Sequence, residues 1–339
     1  MPLAPDSAAD ADLLRVPIGP GSLHVDRYGY GGRQVVLLHG FATSSFLWRH
    51  VGPALAVAGM RAFALDLLGY GESDRPLDAD YGIAAQAEHL DRALTALRVA
   101  SAHVVGVDLG AAVALRLAAV HPERVDGLVL VNPLTPEHCP GRDIARLRSW
   151  RTARFAFRQA RGLLGATPVM QQLLAMMVAD PARIPPRLVA RYLAPYVGRE
   201  GATHLLALAR AIDAGDLEEL ELQYLETPTM VVRGTADELV DADTVQRLAE
   251  VIPGARFEEL AGVARLVPEE DPERLTTLIL EHAGLRERPA VPPAPTLGLP
   301  DETALAIAPA GVALGTGPGT SSGAASHGDA PALEPPRGV

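Results

Sequence analysis

The chain has 339 residues, 48% hydrophobic and 21% charged, which is enough for a large buried core and excludes disorder throughout. Thirty basic residues against 41 acidic ones give a formal charge of −11, and with so few aromatic side chains for stacking bases this excludes nucleic acid as the expected partner. Every basic residue is arginine, so a Schiff-base lysine, a pyridoxal-phosphate anchor and a P-loop lysine are excluded outright.

Residues 1–12 are rich in Ala and Asp, carry neither the basic nor the apolar region of a signal peptide, and read as a disordered N-terminus. Between residues 13 and 133 short apolar runs alternate with amphipathic stretches, the pattern of a mostly parallel sheet covered by helices on both faces. Strands are predicted at 13–18, 23–28, 34–38, 61–65, 102–107 and 127–131, and helices at 46–57, 83–97 and 111–120. The run from Ala111 to Val120 contains Arg116 and is too short to span a bilayer, so a soluble, cytoplasmic protein without a membrane partner is expected.

From 134 to 225 strand patterns stop, and the sequence reads as an all-helical insertion of four or five helices punctuated by Gly and Pro. One of these predicted helices is arginine-rich: Arg142, Arg146, Arg148, Arg151, Arg154, Arg158 and Arg161 surround an apolar stripe of Ile144, Leu147, Trp150, Phe157 and Leu164. Its basic face is either a solvated surface or a docking surface for an anion. The alternating pattern resumes over 226–285, with strands at 229–232 and near 255–259 and helices at 242–251 and 272–281. The segment 286–339 is dominated by Pro, Ala, Gly and Ser and reads as a disordered tail. The single Cys139 excludes an intrachain disulfide, and the absence of a His pair at metal-ligand spacing or a dinucleotide fingerprint leaves no metal or organic cofactor to expect.

Three segments carry chemistry. In Gly106-Val107-Asp108-Leu109-Gly110 a strand runs into a helix through a turn whose glycines leave the apex carboxylate of Asp108 clear of the sheet. By itself the turn is equally consistent with Asp108 as a simple helix N-cap. The strand 35–38 ends in His39-Gly40-Phe41, so that the backbone N–H groups of Phe41 and Leu109 are placed to form an oxyanion hole. The third segment, Asp66-Leu67-Leu68-Gly69-Tyr70-Gly71, reads as a structural turn with Asp66 bonded to backbone.

In this order and spacing the segments resemble the α/β-hydrolase fold over roughly residues 13–284, with the helical insertion in the place of that family's cap. Aspartate at the elbow, and Thr43-Ser44-Ser45-Phe46-Leu47-Trp48-Arg49 after the His-Gly, are similar to its haloalkane dehalogenase and epoxide hydrolase branch. In that branch the aspartate attacks carbon to form an ester, and a histidine paired with an acid activates water to cleave it. The resemblance implies Asp108 as nucleophile and Asp237, in Gly234-Thr235-Ala236-Asp237, as the acid, rather than a residue in Val131-Asn132-Pro133.

The histidine is missing. In Gly262-Val263-Ala264-Arg265 the family's imidazole position holds Arg265, whose guanidinium accepts no proton from water at neutral pH. An Asp108–Arg265–Asp237 charge cluster is expected instead, lowering both carboxyl pKa values and occupying lone pairs that a nucleophile uses. Leu109 and Phe41 stand where dehalogenases carry halide-binding Trp and Asn, which leaves dehalogenation the least supported reaction. Epoxide opening needs hydroxyls from the cap, for which 191–196 with Tyr192 is the candidate; His39, Trp150 and Tyr192 are the expected pocket residues.

Three readings follow: an enzyme acting on a small or medium organic molecule through Asp108, by epoxide- or ester-type hydrolysis or a derived lyase or isomerase reaction; a non-catalytic ligand-binding member of the fold; or a site completed by a histidine from elsewhere, His39 or His282. Oligomeric state is not legible in the sequence.

Overall fold

The structure, a computed structural model, describes residues 11–149 and 167–285. Eight strands form one sheet: β1 (Asp12–Pro17), β2 (Ser22–Tyr28), β3 (Gln34–Leu38), β4 (Arg61–Leu65), β5 (Ala102–Val107), β6 (Val125–Val131), β7 (Thr229–Gly234) and β8 (Arg256–Leu260). Their spatial order is β1-β2-β4-β3-β5-β6-β7-β8. The strands from β4 to β8 pair in parallel, while β2 runs antiparallel to both β1 and β4.

Alternation along each strand divides the apolar side chains between two layers. Val36, Leu38, Val104, Leu128 and Leu130 pack under α2 (Ile83–Ala96) and α3 (Leu109–Val120). Val35, Leu37, Val105, Val107, Val129 and Val131 face the other way, under α1 (Val51–Val57) and α11 (Pro272–His282). Both faces are thereby buried, which is why these strands read as continuous apolar runs.

The predicted helix 46–57 is two pieces, a 3-10 turn at Ser45–Trp48 and then α1, since Pro53 has no N–H to donate and is accommodated in the first turn of a new helix. Between β6 and β7 the described helices are α4 (Arg142–Arg148), α5 (Thr167–Met176), α6 (Pro186–Leu193), α7 (Gly198–Ala211) and α8 (Gly215–Glu218). The predicted arginine-rich helix stops early, because Ser149 is extended. Trp150 and the arginines from 151 to 161 lie outside the described residues, as do the expected tail over 286–339 and most of the N-terminal segment. After β7 come α9 (Ala242–Val251) and the short α10 (Val267–Glu270). Among the described residues no helix is long and apolar enough to cross a membrane.

The close approach of strand and helix at the end of β5 depends on missing side chains. A Cβ on Gly106 would collide with the carbonyl oxygen of Gly110, and one on Gly110 would stand 2.5 Å from the carbonyl oxygens of Leu38 and His39. Gly110→Ala is expected to cost about 1–3 kcal/mol through overpacking, read as a lower urea midpoint. An unchanged midpoint would show that the turn relaxes without strain.

Candidate active site

Asp108 follows the last residue of β5 and precedes α3, with φ +54°. A non-glycine residue in that region is strained, by roughly 1–3 kcal/mol, and is held there by its surroundings. Its N–H donates to Val131 O of the neighbouring strand, and its carbonyl accepts from the first turn of α3. The carboxylate is thus raised above the carboxyl ends of the parallel strands, where this type of sheet places ligands. It makes no side-chain cap to α3, so the N-cap alternative does not account for it.

Both carboxylate oxygens are engaged. Oδ2 accepts the Phe41 N–H at 2.9 Å, and the Leu109 N–H also acts on the carboxylate, favouring its charged form. Oδ1 accepts from Arg265 Nη1 at 2.9 Å. The guanidinium reaches on to Asp237, its Nε donating to Oδ2 at 3.2 Å, while the other Asp237 oxygen accepts the Leu239 N–H at 2.8 Å. Asp237 lies three residues past β7, so the elbow carboxylate, Asp237 and Arg265 do meet, with the cation in the middle.

A third carboxylate completes the cluster. Asp143, on the first turn of α4, lies 3.5 Å from the same Arg265 Nη1. Arg265 and Asp143 are fully buried, Asp108 is 1% exposed and Asp237 5%. The expected lowering of the Asp108 pKa is reversed. Burial pushes it up, to about 6, against the pull of Arg265; the Asp143 charge adds to the rise, and the two backbone N–H groups oppose it. Arg265 itself stays charged, its pKa raised by the three carboxylates despite burial.

Asn132 is a positioning residue that the sequence reading passed over. Its side-chain oxygen accepts the Gly234 N–H at 2.8 Å, and its amide donates to the carbonyls of Ala264 (2.9 Å) and Arg265 (3.3 Å). It fastens the ends of β6 and β7 to the loop carrying Arg265. The available signal was a polar residue ending an otherwise apolar strand just before a proline.

The histidines are elsewhere. His39, expected in the pocket, is fully buried and structural: Nε2 accepts the Leu67 N–H at 3.1 Å, which puts the ring proton on Nδ1, where it donates to Gly40 O at 2.8 Å. The imidazole pins the end of β3 to the end of β4. His282 packs against His103, near the start of β5, while Asp108 follows the strand's far end, about 16 Å along it at ~3.3 Å per residue. Among the described residues no histidine is bonded to Asp108, so neither His39 nor His282 completes the site. Asp66 is structural, as read from the sequence, accepting the N–H groups of Ser45 and Glu72.

The tyrosine expectation shifts by one turn. Tyr192 donates to Glu269 Oε1 at 2.5 Å, within a buried network in which Arg49 grips both oxygens of Glu269, so its hydroxyl is already used. The chain leaves α6 through a 3-10 turn containing Pro195, and Tyr196 turns into the apolar cluster that holds Phe41, Leu109 and Tyr70, whereas Tyr192 sits in the opposite cluster. The hydroxyls of Tyr196 and Tyr70 are buried and have no hydrogen-bond partner. Burial raises both pKa values, and Tyr70 also feels the charges of Tyr196 and Asp108. Tyr70, in a loop read as a turn, gave no sequence signal.

The model of the alpha/beta hydrolase fold family matches residues 34–272. The chain belongs to the α/β-hydrolase family. It is 30% identical over 244 residues to a haloalkane dehalogenase of Mycobacterium marinum, covering 68% of this chain and 77% of that protein. An epoxide hydrolase of Caballeronia sordidicola is 42% identical over 104 residues, covering 30% of this chain and 31% of its own length. Among solved structures, the haloalkane dehalogenase DatA of Agrobacterium tumefaciens C58 superposes with a TM-score of 0.69 at 26% identity, over 83% of this chain and 99% of that one. These relatives place this α/β-hydrolase in the dehalogenase and epoxide hydrolase branch.

Removing the cation from such a cluster leaves buried carboxylates facing one another. Arg265→Met is expected to cost about 3–5 kcal/mol at pH 7, with a smaller loss at pH 5, where protonation relieves the repulsion. Urea unfolding at the two pH values checks both; equal losses would show that charge is not the cause.

Proposed function

We propose that this α/β-hydrolase opens a small or medium-sized organic electrophile, an epoxide in the first place, by attack of Asp108 on carbon. The observation that carries the choice of epoxide is the pair of buried, unpartnered hydroxyls on Tyr70 and Tyr196, in the apolar cluster that contains both residues of the oxyanion hole. When Asp108 attacks an epoxide carbon, the C–O bond breaks and the oxygen becomes an alkoxide. A neutral tyrosine donates to that oxygen as charge develops and supplies the proton. Burial keeps both phenols protonated. The new ester would keep Oδ2 against the Phe41 N–H, which already holds it, beside the N–H of Leu109.

Dehalogenation is supported by the name of the relative matched over most of both chains. Against it, Leu109 and Phe41 offer a departing halide carbon rather than the side-chain N–H groups expected at those positions. A non-catalytic, ligand-binding role is favoured by the engagement of both Asp108 oxygens.

Intact-mass measurement and product analysis with a panel of epoxides and alkyl halides separate the readings. Epoxide turnover is expected, abolished in Asp108→Asn and lowered about 10²-fold in kcat by Tyr196→Phe or Tyr70→Phe, the typical loss for one donor to a developing oxyanion. A ligand that raises the melting temperature with neither adduct nor turnover across the panel would establish the binding role instead.

The nucleophile must be ionised, and the groups that set its charge are Arg265, Asp143 and the two backbone N–H groups. The value of kcat/KM is therefore expected to fall as pH is lowered through about 6, approaching tenfold per unit below it. A flat profile from pH 5 to 8 would remove Asp108 as the reacting carboxylate.

A further inference from the structure

We propose that Asp143 is the proton acceptor that activates water to release product from Asp108, a catalytic residue supplied by the cap in place of the missing imidazole. The proposal rests on the reading of Asp108 as a nucleophile and adds the group that completes the cycle.

An ester on Asp108 is cleaved when a water loses a proton as it attacks the ester carbon. Arg265 cannot take that proton, and His39 has both ring nitrogens committed to backbone. Asp237 is spent on Arg265 Nε and the Leu239 N–H. Asp143 differs from both other carboxylates of the cluster: it is fully buried, and neither of its oxygens accepts a hydrogen bond. Its contact is the ion pair to Arg265 Nη1 at 3.5 Å, the nitrogen that donates to Asp108 Oδ1 at 2.9 Å. Both carboxylates thus contact one nitrogen of Arg265, and in the proposed arrangement a water bonded to Asp143 attacks the Asp108 carboxyl carbon.

Burying a carboxylate without hydrogen bonds is costly even beside a cation, so the arrangement calls for a donor that the protein itself does not supply. Water is a donor of the right size. A second orphan lies on the residue that Asp143 pairs with: Arg265 Nη2 is buried and without an acceptor, so this cluster lacks both a donor for Asp143 and an acceptor for Nη2. Water supplies either. The mount is rigid, since Ile144 and Leu147 on the same helix are buried in the cluster that contains Phe41 and Leu109.

The chemistry balances. Asp108 Oδ1 has bonded the substrate carbon, and Oδ2 is the ester carbonyl oxygen in the oxyanion hole. Water attacks the Asp108 carboxyl carbon, its proton passes to Asp143, and the electron pair of the carbonyl moves to Oδ2. Collapse of this intermediate breaks the bond between the Asp108 carboxyl carbon and the ester oxygen. The departing product alkoxide takes the proton back from Asp143, giving the alcohol; the second water proton is left on the regenerated Asp108 carboxyl and returns to the tyrosinate that protonated the first oxygen. Arg265 Nη1, beside Oδ1, stabilises that leaving oxygen, a role for which a permanent cation is suited.

The test is single turnover of the full chain with styrene oxide, followed by intact mass. In the wild type the ester is expected to form and decay. In Asp143→Asn, close in size but without basicity, it is expected to form and persist, its hydrolysis slowed by about 10²–10⁴-fold. In Asp143→Ala, added formate is expected to restore hydrolysis in proportion to its concentration, a response that a merely structural role for Asp143 would not give. Ester decay in Asp143→Asn at the wild-type rate, or no response of Asp143→Ala to formate, would overturn the assignment while leaving Asp108 as nucleophile. No ester in either the wild type or the variants would remove the nucleophile, and the assignment with it.

Discussion

The site is organised around a guanidinium taken wholly out of water. Moving an isolated cation into a protein interior costs several kcal/mol, while one carboxylate at about 4 Å returns roughly 4 kcal/mol at an effective dielectric of 20. A single partner therefore leaves little margin. Arg265 has three, and they come from the strand-to-helix elbow, from the turn after β7 and from the first helix of the cap. The charge of Arg265 thereby also ties together parts of the chain far apart in sequence.

The loop that carries this cation is held as firmly as the elbow it faces. Glu270 accepts the N–H of Ala264 with one oxygen and that of Ala179, from the cap side, with the other, each at 2.8 Å. Leu266 donates to Met177 O, and Asn132 takes the carbonyls of Ala264 and Arg265. Next to it Glu269 joins Arg49 of the core to Tyr192 of the cap. A long, flexible arginine is thus presented in one geometry, and cap and core are joined beside the charge cluster. This exclusion of bulk solvent raises the Asp108 carboxyl despite the adjacent cation.

Much of the architecture was legible because its causes are local. Strands buried on both faces read as apolar runs, and the predicted strands at 34–38, 61–65 and 102–107 coincide with β3, β4 and β5. The strand-to-helix turn was legible because glycines flank an aspartate there, although that turn by itself suited a helix cap equally well and only the neighbouring His39-Gly40-Phe41 segment tipped the reading toward an elbow. The presence of Arg265 after Gly262-Val263-Ala264 was legible too, since it is read directly from the sequence. Departures arose where local pattern competes with tertiary packing: Ser149 ends a helix that periodicity would continue, and His39, in the right motif, spends its nitrogens on backbone.

The sequence by itself determined that a carboxylate occupies the elbow, that an arginine ends the motif Gly262-Val263-Ala264-Arg265, and that lysine chemistry is absent, because each depends on residue identity at a position the backbone pattern fixes. Tertiary structure alone decided the direction of the Asp108 pKa, the choice of Tyr196 over Tyr192, and the arrival of Asp143 beside Arg265. Those depend on burial and on distances between segments more than a hundred residues apart, which no local pattern encodes.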